Sequence, residues 1–314
     1  TDLGDPVVDH GLRAAISDLT SRAATDESGP WRQGLVNWAG RPGWKPTHYP
    51  FPVESRRDLT AGDLHEPATI LSYDLGHLTL HAAYLAGEGS VLTVLFHGAL
   101  DRGRTRLPMF QRITSQRAMG IGPVLAFADP TLDLSSALRL GWYLGTAEID
   151  LPTVMAEIVR DVIARSGCDR VFLQGGSGGG FAAIATGIHV PGSVAVAFNP
   201  QTDVRAYSAT FVKECLAAAF PVGTFVGDGP PSARLSLMTR METFGHIPQI
   251  ELITNSGDEF HLKGHAAPLI EYLAARDADV LSVTEFDLGP GHRTPDNNAY
   301  YQIMRDIYAK HLTS

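Results

Sequence analysis

From Ala68 onward the chain alternates between short apolar runs and longer amphipathic stretches. Residues 68–73 and 77–85 alternate apolar and polar positions around Asp74-Leu75-Gly76, the pattern of a β-hairpin. Val91–Phe96 (VLTVLF) is continuously apolar, which predicts a strand buried on both faces. Residues 124–128, 171–173, 194–198, 250–254 and 280–286 repeat that signature. Between them, residues 151–164 set Val154, Met155, Ile158, Val159, Val162 and Ile163 on one helical stripe. Asp150 stands at the N-cap of that stretch, ahead of an early Pro152. Buried strands alternating with helices predict an α/β chain, a mostly parallel sheet flanked by helices and entered through an antiparallel hairpin.

Two segments depart from this rhythm. Residues 201–246 lie between two strands and are much longer than a usual connection. They hold a helical piece at 211–219 and a stretch rich in Gly and Pro, GDGPPS, and they predict a lid over the carboxyl edge of the sheet. At the start of the chain, residues 3–24 space Leu12, Ala15, Ile16 and Leu19 as in a short helix. Residues 31–52, WRQGLVNWAGRPGWKPTHYPFP, are irregular but aromatic, so they pack onto the main body. The domain reading is an N-terminal arm over 1–67 packed on a main domain over 68–314, with the lid inserted at about 201–246.

Composition narrows the class. With 44% apolar and 19% charged residues the chain folds around a sizeable core. No apolar run approaches the roughly 18 residues of a membrane span. A net charge of −9 argues against a general nucleic-acid binder, which needs a basic surface. Cys168 and Cys215 are too few for a disulfide framework or a four-cysteine zinc site. Two free thiols in a reducing compartment are the expectation, and one bridge between them stays open. The first residues lack the basic and apolar regions of a signal peptide, so the cytoplasm is the default location. A start at Thr1 leaves room for a trimmed leader, and a homo-oligomer is also left open.

The chemistry centres on Gly175-Gly176-Ser177-Gly178-Gly179-Gly180, which follows the strand VFLQ and precedes FAAIATGI. G-x-S-x-G between a strand and a helix exposes the serine on a sharp, strained turn whose flanks must be small. The turn also sets the serine at a helix N-terminus, where free N–H groups favour developing negative charge. A P-loop needs G-K-[ST] and a dinucleotide loop needs G-x-G-x-x-G; neither register fits. A serine needs a base, and His292, in the Gly-Pro-Gly-His loop after the last predicted strand, reaches the same sheet edge. The base needs an acid, and Asp258 follows the strand IELIT, with Asp203, Glu259 and Asp287 as competitors. The oxyanion needs two donors. The Gly178 N–H follows the nucleophile, and the Ala99 N–H, or failing it Gly98, comes from His97-Gly98-Ala99 after VLTVLF, with His97 bracing that loop.

VLFHGA, GGSGGG, NSGDEF and GPGH, in that order, resemble the α/β-hydrolase superfamily over roughly residues 68–314. The resemblance implies an eight-stranded sheet, a lid after the sixth strand and no cofactor. The doubled glycines are similar to those of prolyl-oligopeptidase relatives. Those peptidases carry a large N-terminal propeller, which about 65 residues cannot build.

Weaker signals concern the substrate. Arg102, Arg104 and Arg106 flank the oxyanion loop, so Arg102 and Arg104 are candidates for an anionic group, against a solvated loop with local ion pairs. Trp142 is a candidate to line an acyl or sugar pocket, against core packing. His261 and His265 in HLKGH are spaced like metal ligands on a helix, but no H-E-x-x-H signature accompanies them, and no metal is expected. The reading is a serine hydrolase of carboxylesterase type acting on a small-molecule ester, an acylated sugar or anionic ester included. Its rivals are a peptidase or amidase, an acyltransferase using the same triad, and a binding or scaffolding protein that keeps the fold without turnover.

Overall fold

A computed structural model describes Tyr49 and residues 51–64, 66–221 and 232–312. The expected helix at 3–24 and most of the aromatic stretch at 31–52 lie outside the described residues, as does most of the GDGPPS stretch of the expected lid. The strands are β1 Val53–Arg56, β2 Ala68–Asp74, β3 Thr79–Leu85, β4 Val91–Phe96, β5 Val124–Phe127, β6 Arg170–Gly176, β7 Val194–Phe198, β8 Gln249–Asn255 and β9 Leu281–Phe286. They form one nine-stranded sheet in the order β1-β2-β3-β5-β4-β6-β7-β8-β9. Only β3 runs against the rest, paired antiparallel to β2 and to β5. The β2–β3 hairpin forms as its alternation predicts, with β1 ahead of it at the sheet edge.

The ninth strand is the difference from the expected eight. β1 falls inside the stretch read as arm and pairs parallel with β2, Val53 opposite Ile70. Its sequence, VESR, is too short and polar to announce a strand; only Val53 is buried. Just ahead of it, Phe51 is buried and Tyr49 packs against Phe110 at 4.9 Å between ring centroids.

β4 and β7 are buried at every position because both faces of the sheet are covered. On one face lie α2 (Leu151–Ser166) and α3 (Gly178–Gly187), and Leu173 of β6 with Ala195 and Ala197 of β7 point toward them. On the other lie α1 (Ile113–Ala118) and the C-terminal helix Asn297–Leu312, which receive Leu95, Phe172 and Val196. Between β7 and β8 the chain forms α4 (Ala209–Ala219), α5 (Ser232–Leu235) and α6 (Leu237–Phe244). After β8 it forms α7 (Ala267–Ala274), then β9 and the C-terminal helix, α8. Cys168 and Cys215 are free, buried thiols in separate core clusters. Among the described residues no helix is long and apolar enough to cross a membrane.

Asp150 occupies the N-cap of α2 without capping it: its side chain makes no bond to the helix backbone. It accepts from Thr153 Oγ1 at 3.0 Å and pairs with Arg240 at 2.7 Å and Arg234 at 3.2 Å. Burial raises the Asp150 pKa, but the two guanidiniums outweigh it and the net shift is downward. The carboxylate thus neutralises two buried cations that tie the inserted segment to α2. Asn caps helices as well as Asp does. Asp150→Asn therefore separates the two roles: a cost of about 3 kcal/mol in chemical denaturation is expected from uncompensated buried charge, whereas a capping role predicts a loss of only a few tenths.

Candidate active site

Five loops at the carboxyl ends of neighbouring strands converge. Ser177 follows β6, Gly98 and Ala99 follow β4, Gln201 follows β7, Asp258 follows β8 and His292 follows β9. Ser177 has φ 57° and ψ −121°, a conformation that costs a non-glycine residue on the order of 1–3 kcal/mol. Its N–H donates to Phe198 O at 2.8 Å and its carbonyl accepts from Gly180 and Phe181, so the turn is locked on both sides. The two motif glycines are required by close approach. A Cβ on Gly175 would lie 2.2 Å from Gly179 C, and one on Gly179 would lie 2.5 Å from Phe96 O. Gly176, an x position of the motif, has nothing closer than 3.6 Å. The first N–H groups of α3, Gly178 among them, have no acceptor within the helix.

The Gly98 backbone sits against this turn, its would-be Cβ 3.0 Å from Gly176 O and 3.5 Å from Ser177 Cβ. His97 is buried below. Asp129 N–H donates to His97 Nε2 at 3.0 Å, so Nδ1 holds the proton and donates to Gly98 O at 2.8 Å. Burial pulls the His97 pKa down to about 4. Tyr143 OH accepts from His97 N–H and donates to Phe127 O, each at 2.9 Å.

Asp258 is buried, and both oxygens are occupied. Oδ1 accepts from His261 N–H at 3.3 Å, and Oδ2 lies 2.8 Å from His292 Nδ1 and 2.8 Å from His261 Nδ1. Burial raises its pKa, but hydrogen bonds from the two histidines prevail and hold it below the ordinary carboxylate range. The histidine rings stack at 4.1 Å and 21°. They differ in burial: the His292 side chain is 34% exposed and the His261 side chain 5%. Burial first, then the neighbouring His292, depresses the His261 pKa despite Asp258. The His292 loop is tied down by amides. Asn255 Nδ2 donates to Gly289 O and Gly291 O, each at 2.9 Å, and Asn199 Nδ2 donates to Arg293 O at 2.9 Å.

Gln201 joins the two halves. Trp142 Nε1–H donates to its Oε1 at 3.1 Å, which fixes the amide orientation. Its Nε2 then donates to Ser177 Oγ at 2.9 Å and lies 2.8 Å from His261 Nε2. Ser177 Oγ accepts this bond, which leaves the hydroxyl proton available to a base. A cavity of about 240 Å³ opens over Ser177, lined also by Gly98, Ala99, Gln111, Arg112, Tyr207, His292, Thr294 and Tyr300.

Ser177, Asp258, His292, Gly98, Ala99 and Gly178 thus gather at one sheet edge. The competing acids do not reach it: Asp203 pairs with Arg205, Glu259 pairs with Lys263, and Asp287 accepts from Gly289 N. None of the substrate-binding candidates lines this cavity. Arg102 turns inward and donates to Leu132 O and Leu138 O at 3.0 and 2.8 Å. Arg104 is 89% exposed beside Asp101, and Trp142 is fully buried as the partner of Gln201. Gln201, His261 and Arg112 were not foreseen in these positions. Gln201 follows a strand as every other site residue does, the one signal that marks it. Asp258, His261 and His292 have ligand atoms within 4.8 Å of one another, a spacing compatible with a metal ion. His265 is not part of this group; its Nδ1 accepts from Thr202 N–H at 3.2 Å.

This strand order, with a serine elbow after β6, is the α/β-hydrolase fold, and the chain has it. Solved structures agree. The capsule O-acetyltransferase of Neisseria meningitidis serogroup A is similar at a TM-score of 0.53 and 16% identity, over 75% of this chain and 96% of that one. An S-formylglutathione hydrolase from Agrobacterium tumefaciens is similar at 0.52 and 14%, over 77% and 93%. The HSL homologue EstE7 from a metagenome library is similar at 0.51 and 16%, over 95% and 98%. No protein-family profile and no curated protein matches the chain.

Two outcomes follow from this geometry. Gly176→Ala should leave stability nearly unchanged, while Gly175→Ala and Gly179→Ala should each lose at least about 2 kcal/mol or fail to fold, read by thermal melting. Acid should also destabilise the fold. His97, His189 and His265, each lowered to about 4 by burial, stay neutral when folded but take a proton near 6.5 when unfolded. Their stability contribution is complete above pH 6.5 and is lost as pH falls toward 4. Asp129, raised to about 6 by burial, opposes this below pH 6. Three groups outweigh one, so the urea midpoint should fall between pH 6.5 and 4.

Proposed function

We propose that the protein is a serine hydrolase that cleaves a carboxylic ester of a small or medium substrate through an acyl-enzyme. The observation that carries this reading is the strained Ser177 turn at the floor of a cavity that His292 also lines, with His292 Nδ1 held at 2.8 Å by Asp258. Asp258 accepts a hydrogen bond from His292 Nδ1–H, which keeps the proton on Nδ1 and leaves Nε2 as the base. Nε2 takes the Ser177 hydroxyl proton as Oγ attacks the ester carbonyl, and then gives it to the leaving alcohol. Water, activated by the same nitrogen, cleaves the acyl-enzyme and frees Ser177. The Gly178 and Ala99 N–H groups hold the oxyanion. The inserted segment between β7 and β8 acts as the lid, supported by Tyr207 in the cavity wall, and residues 51–64 of the N-terminal arm belong with the catalytic domain, supported by the burial of Phe51 and the pairing of β1 with β2.

One observation favours a second assignment of the base: His261 also meets Asp258, and Gln201 links it toward Ser177. The Gln201 amide nitrogen stands between Ser177 Oγ and His261 Nε2, however, and an amide nitrogen accepts no proton. His261 therefore positions, and His292 reacts. Ser177→Ala should reduce turnover of a p-nitrophenyl ester by about 10⁴–10⁶ and abolish the mass adduct formed by a fluorophosphonate probe. His292→Ala should cost far more than His261→Ala; the reverse order would exchange the two roles. An adduct on wild type but equal rates on matched ester and anilide would instead favour an amidase. Transfer to an added alcohol, seen by product analysis, would favour an acyltransferase.

A further inference from the structure

We infer that the substrate carries a carboxylate, held by Arg112 at the wall of the cavity away from the reacting carbonyl. This rests on the reading of the cavity as a substrate site. Arg112 is the only lining residue, among the described residues, with a permanent charge; no Asp or Glu lines the cavity. Its side chain is half-buried, and no carboxylate lies within ion-pairing distance among the described residues. Its one polar contact is long, 3.5 Å from Nη1 to Asn297 Oδ1.

The surroundings hold the guanidinium in place and leave its donors free. The cation lies over the Tyr300 ring, 3.9 Å from the centroid. Tyr300 is itself fixed, its OH 2.7 Å from Gln174 Oε1 and 3.0 Å from Gln116 Oε1. The contact with Tyr300 anchors the cation, and its N–H groups, which make only the long contact to Asn297 among the described residues, are available to pair with a carboxylate. The Arg112 backbone is left-handed at φ 58°, where a non-glycine residue is uncommon and is kept only when its surroundings impose it. One guanidinium balances one negative charge, and the lining offers no second permanent cation, which favours a carboxylate over a phosphate dianion.

The test is binding, so it does not depend on turnover. Wild type, Ser177→Ala, Arg112→Met and Arg112→Lys are titrated calorimetrically with 4-phenylbutyrate and with its neutral isostere 4-phenylbutanamide. Wild type and Ser177→Ala should prefer the carboxylate by roughly tenfold, the scale of one charge-assisted hydrogen bond. Arg112→Met should lose that preference and Arg112→Lys should keep part of it. Met and Lys meet the same backbone strain as Arg, so the loss is not a folding effect if the melting temperatures agree. Equal affinities in wild type, or a preference that survives Arg112→Met, would overturn the inference. Fluorophosphonate labelling of wild type reads the hydrolase proposal separately: a labelled Ser177 without carboxylate preference sinks only this inference, and a preference without labelling sinks only the other.

Discussion

The arrangement of the site depends on how closely β4, β6 and the start of α3 approach one another. Gly179 lies against the carbonyls of Phe96 and His97, and Gly175 against Gly179, at distances no Cβ can occupy. That contact presses the start of α3 onto the end of β4. It forces Ser177 into its positive φ and brings the Gly98 backbone beside it. A side chain at either glycine would push strand and helix apart and separate the loops that make up the site. The buried His97, neutral and bonded on both nitrogens, then fixes the β4 loop from below without introducing a charge next to the serine.

Much of this was legible in the sequence because it follows from local rules. Continuous apolar runs marked the doubly covered strands, and alternation marked the hairpin. The elbow announced itself because only glycine meets its steric demand, and Asp258 and His292 were found by standing just past strand ends. What was illegible depends on tertiary contact. β1 is short and polar because it lies at the sheet edge. Asp150 reads as a cap, but two distant guanidiniums claim its carboxylate. Arg102 and Arg104 neighbour the oxyanion loop in sequence, yet one braces carbonyls and the other faces solvent, while Arg112 reaches the cavity. His261 shows only a metal-like spacing with His265, from which no metal is expected; its meeting with Asp258 and His292 needed the β8 and β9 loops to converge.

Electrostatics explains why two histidines can share one carboxylate without sharing a role. Asp258 compensates one positive charge, and stacked imidazoliums 4.1 Å apart would repel. The ring that becomes charged must be the one that water and substrate can reach. Burial keeps His261 neutral, which suits it to hold Asp258 and the Gln201 amide in place. His292, partly exposed at the cavity, is free to take and return a proton in the proposed mechanism.

The chemistry and its selectivity therefore come from different parts of the chain. The proposed reacting groups stand on turns that leave the sheet directly, which set Ser177 and His292 on one cavity and Asp258 within hydrogen-bonding distance of His292. The cavity wall comes from elements added around the sheet: Arg112 at the start of α1, Tyr207 in the β7–β8 segment and Tyr300 on α8. The similar solved structures include an O-acetyltransferase and an S-formylglutathione hydrolase on one fold, so the fold alone does not choose among reactions. In the proposed function that choice falls to the wall: Arg112, the one permanent charge in its lining among the described residues, would bind the substrate by its charge and leave the carbonyl end to Ser177.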